Sequence, residues 1–183
     1  MFTNFSKWLF NAYLIVTFIS TFLFGCGAPL GPYNFYASNL GISKKKIDAD
    51  IRSTTVSFAS PDEKTGELSG GGEEIAPLWQ SALIEALNKK AIFRDDASRK
   101  VNIVVKILKI DLPTAGASIT VDIAARYELL DRKTGETIFI QDISSSGTTP
   151  FGYSLSAINR SRESINRAVQ NNIKQFLITL EQT

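Results

Sequence analysis

Few side chains in this chain could carry covalent or acid–base chemistry. There is no histidine, which excludes Ser-His-Asp and Cys-His arrangements, histidine-based zinc sites and a histidine pH switch. The one thiol, Cys26, stands between Gly25 and Gly27 at the end of an apolar run. That position fits poorly with the common fate of a free cysteine, burial in a core. The available acids are Asp48 with Asp50, Asp95 with Asp96, and Asp122 with Glu128. Paired carboxylates do acid–base or glycosidic work only where environment splits their pKa values and geometry fixes their spacing. Adjacent acids in polar segments more often solvate a loop, and no EF-hand spacing marks them as calcium ligands. The serines and threonines of "DISSSGTTPFG" would need a lysine base, and no Ser-x-x-Lys pattern occurs there. That segment reads as a mobile connection between a strand and a helix. Gly70, Gly71 and Gly72 have the look of a phosphate cradle, but they lack the P-loop lysine and precede Glu73 and Glu74, which repel an anion. The chemistry on offer therefore predicts a protein that is not an enzyme and uses neither cofactor nor metal.

The segment that carries Cys26 has an address written in it. Lys7 is the only charge before Cys26, and residues 8 to 24, "WLFNAYLIVTFISTFLF", are apolar but for a few uncharged polar side chains. A short positive region followed by an apolar one is the order of a secretory signal. The run falls just short of the roughly 18 to 20 residues that cross a bilayer comfortably, and small residues close it, which favours cleavage over permanent spanning. Leu23-Phe24-Gly25-Cys26 resembles the lipobox of bacterial lipoproteins, with Phe24 larger than the side chain usual at its place. The resemblance implies attachment of diacylglycerol to the Cys26 sulfur through a thioether, cleavage before Cys26 and acylation of the new N-terminus. Two or three acyl chains, at ~0.8 kcal/mol per buried CH₂, anchor a protein stably where one does not. In that family an aspartate after the cysteine often retains the protein in the inner membrane; Gly27 holds that place here, which favours the outer membrane facing the periplasm.

Beyond a signal peptide at residues 1–25, roughly 160 residues remain, the size of one domain with a real core. The net charge of +2 gives no electrostatic case for nucleic-acid binding. With Cys26 committed to lipid no disulfide is available, so packing alone must hold the exported domain together. Residues 26–46, "CGAPLGPYNFYASNLGISKKK", read as the lipid attachment point and a flexible tether, though Tyr33, Phe35 and Tyr36 could pack on the domain instead. Lys44, Lys45 and Lys46 read as a solvated charge run. The single domain then spans residues 47–183.

Its elements follow from hydrophobic period. "DIRSTTVSF", from Asp50 to Phe58, is a β-branched strand, followed by a Pro- and Gly-containing turn region. Ile75, Leu78, Trp79, Ala82, Ala86 and Leu87 fall at helical spacing, with Lys89 and Lys90 closing the helix favourably against its dipole. Residues 100 to 112 form a strand apolar on both faces at its middle. Residues 118 to 130 alternate, with Ile119, Val121, Ile123, Ala125, Tyr127 and Leu129 on one face. Asp131 to Gly135 make a hairpin turn into a further strand, and a long C-terminal helix presents Ile158, Ile165, Ala168, Val169, Ile173, Phe176, Leu177 and Leu180 along one stripe, with Arg160, Arg162, Glu163, Arg167, Gln170 and Lys174 largely off it. The order β-α-β-β-β-α predicts an α+β domain, a mainly antiparallel sheet with two helices packed on one face.

The hairpin "ARYELLDRKTGETIFIQDISSSG" resembles an element of bacterial envelope lipoproteins related to the curli secretion lipoprotein and the lipoprotein activator of penicillin-binding proteins. Asp131, Thr134, Gly135 and Glu136 match the Asp-x-x-Thr-Gly-Glu turn of that element. The likeness implies a compact domain on a lipid tether that serves as an auxiliary, docking or assembly subunit of an envelope machine, with the hairpin as a partner contact. An envelope protein could add its own strand to the first or last strand of the sheet. The alternative is a lipid- or glycan-binding carrier, with Phe93, Phe139, Phe151 and Tyr153 lining a groove.

Overall fold

A computed structural model of the chain describes residues 30–68, 72–113 and 116–183. The lipobox residues Leu23, Phe24, Gly25 and Cys26 and the glycines Gly70 and Gly71 lie outside them. The elements are strand β1 (Asp50–Phe58), helix α1 (Ile75–Lys90), strands β2 (Lys100–Asp111), β3 (Ile119–Asp131) and β4 (Thr137–Thr149), a 3₁₀ turn (Phe151–Tyr153) and helix α2 (Ala157–Gln182). The strands lie in the order β1-β2-β3-β4. β1 runs parallel to β2, and the other two pairings are antiparallel. The fold is thus the expected single α+β domain with a mixed sheet.

The alternation along β3 decides which face is covered. Ile119, Val121, Ile123, Ala125, Tyr127 and Leu129 are buried under both helices, together with Ile103, Val105, Ile107 and Ile110 of β2. Trp79 and Leu83 of α1 and Ile173 and Phe176 of α2 close the core from above. The Phe176 ring stacks on Tyr127 at 4.0 Å between centroids. The opposite face is wet, and charges tile it in pairs. Arg126 grips Asp142 through two bonds of 2.7 and 2.8 Å, and Lys106 binds Glu63. α1 ends at Ala91 in the left-handed conformation, whose N–H returns to the Leu87 and Asn88 carbonyls.

Three expectations need correction. The segment "DISSSGTTPFG" is not mainly a connection: residues 142 to 149 are the second half of β4, laddered to β3 from Ala125↔Ile143 to Ile119↔Thr149. Ile158 does not join the buried stripe of α2 but is exposed, while Arg160, expected off the stripe, is buried. Finally, the domain begins well before residue 47. Phe35, Ala37 and Ser43 are buried, the Asn34 N–H donates to Asn166 Oδ1 at 2.9 Å, and the Ser43 N–H donates to the Lys90 carbonyl at 2.8 Å. The aromatic residues of the expected tether do pack: Tyr33 sits 5.5 Å from Phe35, under the Arg162 guanidinium at 4.7 Å. Lys44 to Lys46 are exposed, as a solvated charge run should be.

Candidate interaction site

The hairpin between β3 and β4 is built around one carboxylate. Asp131 Oδ1 accepts from the Lys133 N–H at 2.8 Å and the Thr134 N–H at 3.3 Å, while its Oδ2 accepts from Arg99 Nε at 2.8 Å. Its own N–H donates to the Glu136 carbonyl and its carbonyl accepts from Gly135 N–H, which closes the turn. Gly135 has φ 77°, a left-handed conformation that glycine adopts without a Cβ penalty. Thr134 Oγ1 accepts from the Glu136 N–H at 3.2 Å, leaving both side chains on the surface. Asp131 is thus a turn-former, and Thr134 and Glu136 form the exposed tip. Beside the turn lies an open cleft of about 480 Å³ lined by Ser98, Arg99, Lys100 and residues 131 to 134.

The Arg99 guanidinium, together with the turn N–H groups, holds the Asp131 carboxyl below the usual aspartate range. A group depressed in this way stabilises the fold above its unfolded pKa, and that contribution is lost as pH falls through its folded pKa. Asp131→Asn keeps the acceptor for the turn but not the charge for Arg99. The variant is expected to melt below the wild type at pH 7, with the gap closing as the pH drops beneath about 4, the unperturbed aspartate value. Melting curves of both proteins across pH 2 to 7 check this; a gap that does not change with pH would remove the Arg99 pairing from the explanation.

From the turn the chain passes into β4, an edge strand with a partner on one side only. An edge is a template for another strand unless something covers it. α2 covers the far half. Arg167 donates to the Thr148 carbonyl at 2.8 Å and Asn171 to the Ser146 carbonyl at 2.9 Å. Among the described residues the near half is left open. The pairing skips a residue between Leu129↔Phe139 and Leu130↔Thr137, so that Ile138 lies in a bulge, and Ile140 stands 57% exposed opposite Glu128 on the helix-free face. Hairpin tip and apolar edge are contiguous, and only the tip was singled out by sequence motif. The edge could have been found from "TIFIQD", where Ile138, Phe139 and Ile140 leave no polar face to the strand.

The other candidates are dispersed. Asp50 is held by Lys100 at 2.8 Å and Arg52 at 3.4 Å, and Asp96 by Arg94 at 3.0 Å, with Asp48 3.8 Å from the same arginine. These carboxylates are engaged in structural ion pairs. Asp122 and Glu128 sit six residues apart on one strand, too far for a shared proton or ligand. Among the described residues no group of three potential metal ligands gathers. The aromatic residues suggested for a groove fall in three places: Phe139 packs on Phe176, Phe93 bridges to Ile47, and Phe151 and Tyr153 belong to the turn after β4. No helix among the described residues is long and apolar enough to cross a membrane.

Sheet order, helix placement and the two-ended β4 define the class as a mixed four-stranded sheet with both helices on one face. A solved structure shares the fold. XCC0632 from Xanthomonas campestris, of the DUF330 family, superposes with a TM-score of 0.58 at 8% identity, covering 83% of this chain and 95% of its own. At that identity the likeness concerns the fold. PelC from Paraburkholderia phytofirmans, solved as a dodecamer, aligns at TM-score 0.47 and 14% identity over 73% of this chain and 89% of its own. A putative lipoprotein from Caulobacter crescentus aligns at TM-score 0.42 and 16% identity, over 70% and 88%. No family model and no curated protein matches the chain.

Proposed function

We propose that this protein is a lipid-anchored lipoprotein of the bacterial envelope, held by Cys26 in the outer membrane on its periplasmic side. In this reading it works without catalysis, as a docking subunit for another envelope protein. The observation that carries the docking role is the division of the β4 edge: α2 side chains occupy the carbonyls of one half, and the other half presents Ile138 and Ile140 beside the hairpin tip Thr134–Glu136. A partner strand laid there gains main-chain hydrogen bonds from the edge and apolar contact from the two isoleucines. The anchor rests on the lipobox-like Leu23-Phe24-Gly25-Cys26 and the apolar run before it.

A photocrosslinking side chain placed at Gln141 in the tagged full chain tests the docking role in living cells. A discrete adduct with one envelope protein is expected. Ile138→Lys with Ile140→Lys should lower its yield roughly tenfold or more, since a tenfold loss needs only about 1.4 kcal/mol of binding. Equal adduct from the edge variant, or no adduct at all, would refute edge docking. Mass spectrometry of the N-terminal peptide should find Cys26 acylated, and a free Cys26 thiol there would refute the lipid anchor.

A further inference from the structure

The end of the domain opposite the hairpin carries a second apolar surface, formed by the connection from β4 to α2. Phe151, Tyr153, Leu155 and Ile158 all stand more than half exposed there, Leu155 at 86%. This connection is held rigidly, with its apolar side chains turned out. The buried Arg160 donates through one nitrogen to the Ser154 carbonyl at 2.5 Å and the Leu155 carbonyl at 3.1 Å, and its guanidinium lies 5.0 Å from the centre of the Phe151 ring. Ser156 caps α2 by accepting from the Asn159 N–H at 3.4 Å, and the Ser156 N–H itself donates to Ser154 Oγ at 3.2 Å. Arg167 lies 5.8 Å over the Tyr153 ring. Four large apolar groups held outward by a dedicated arginine are costly in water and are the mark of a surface that meets something apolar.

The path of the N-terminal segment says what that is. Residues 31 to 35 are strapped along the start of α2. Arg162 donates to the Gly31 carbonyl at 3.1 Å, Asn166 Oδ1 accepts from the Asn34 N–H, and Gln170 donates to the Asn34 carbonyl at 2.8 Å. The strap therefore runs toward the beginning of α2, and Gly31 and Pro32 share a cleft with Tyr153 and Ser154. Leu30, itself about half exposed, is the last described residue before the anchor. From Cys26 to Leu30 there are only four peptide steps, at most about 14 Å of chain. An acylated Cys26 cannot lie far from the surface that Phe151, Tyr153, Leu155 and Ile158 compose.

We infer that this end of the domain docks on the bilayer that holds Cys26, with Phe151, Tyr153, Leu155 and Ile158 inserted at the headgroup boundary. The inference rests on the lipid-anchor reading above. Docking fixes the orientation of the domain. β4 runs its thirteen residues from the hairpin to the membrane end, so the hairpin tip and open edge project roughly 40 Å away from the lipid. The contact is apolar rather than electrostatic, since Glu163 pairs with Arg167 at 2.8 Å and Glu74 lies 3.9 Å from Arg162.

The test uses the lipidated full chain, reconstituted in vesicles of phosphatidylethanolamine and phosphatidylglycerol. With Cys26 acylated, Leu155→Cys supplies the one free thiol for an environment-sensitive fluorophore, and Thr134→Cys supplies the same label at the far end. The label at 155 is expected to shift to the blue and to be quenched by lipids brominated near the headgroup, as a group lying about 5–10 Å into the boundary would be. The label at 134 should report water, and added salt should change neither. If the 155 label reports water as the 134 label does, while the N-terminal peptide carries its acyl chains, docking is wrong and the anchor stands. An N-terminal peptide with a free Cys26 thiol would bring down both.

Discussion

Replacing Gly147 with alanine is expected to loosen helix α2 from the sheet, with a loss of about 3 kcal/mol and a fall in Tm of roughly 6–12 °C for a domain of this size. A Cβ built at Gly147 would meet the Ser164 carbonyl oxygen at 2.2 Å and the Ala168 backbone nitrogen at 2.4 Å. Both atoms belong to helix backbone, so no side-chain rotation relieves the overlap and the helix must move. It cannot move freely. Ser164 Oγ is tied at 2.8 Å to the Ile119 carbonyl and at 2.8 Å to Thr149 Oγ1, and the Ala168 carbonyl accepts from Ser145 Oγ at 2.9 Å. Gly152→Ala, where an added Cβ meets nothing within 4 Å, serves as the control and should leave Tm unchanged. Thermal unfolding followed by circular dichroism separates the two; equal curves would mean that α2 can give way at no cost.

The same contact explains what was hard to read in the sequence. The strand β3 was legible because its period of two is uninterrupted, and the turn at Asp131 to Gly135 because its residue types fit the turn chemistry. The second half of β4 was not. "SSSGTT" has the small polar side chains and the glycine of a loop, and it is a strand because β3 supplies the ladder and α2 needs small residues beneath it. Likewise Phe35 looked like part of a tether, since its burial depends on a helix more than a hundred residues away. Arg160 and Ile158 exchanged their expected places for a local reason. The turn at residues 151 to 155 has carbonyls in need of a donor, and Arg160 buries itself to supply one, while Ile158 faces out with the apolar side chains of that turn. At the candidate site the hairpin motif was visible, but the open edge next to it is a property of sheet order and of what α2 leaves uncovered.

The second large effect is expected at Asn172, the buried amide that fixes α2 against the middle of the sheet. Its Oδ1 accepts from the Tyr127 hydroxyl at 2.8 Å, and its Nδ2 donates to the Ile143 carbonyl at 2.9 Å and to Ser145 Oγ at 3.0 Å. Burial pushes the Tyr127 phenol well above its ordinary pKa, so it remains a protonated donor at any physiological pH and is unavailable as an acid or base. Asn172→Leu strands that donor in the core, and an unsatisfied buried group with the lost bonds around it costs on the order of 3 kcal/mol. Tyr127→Phe alone should cost less, because Asn172 keeps its two bonds to β4. The double variant Tyr127→Phe with Asn172→Leu should be more stable than the sum of the single losses by about 1–2 kcal/mol, since no hydroxyl is then left unpaired. Urea unfolding of the four proteins measures that coupling. Strict additivity would mean that the two side chains do not act as one unit, and that α2 is held by Phe176 and its apolar neighbours alone. A coupled pair instead makes Tyr127 and Asn172 the fixed point between the two ends of the domain. The helix that presents Ile158 at one end and covers half of the β4 edge is then locked to the sheet at its middle, so the two ends of the domain are held as one rigid body.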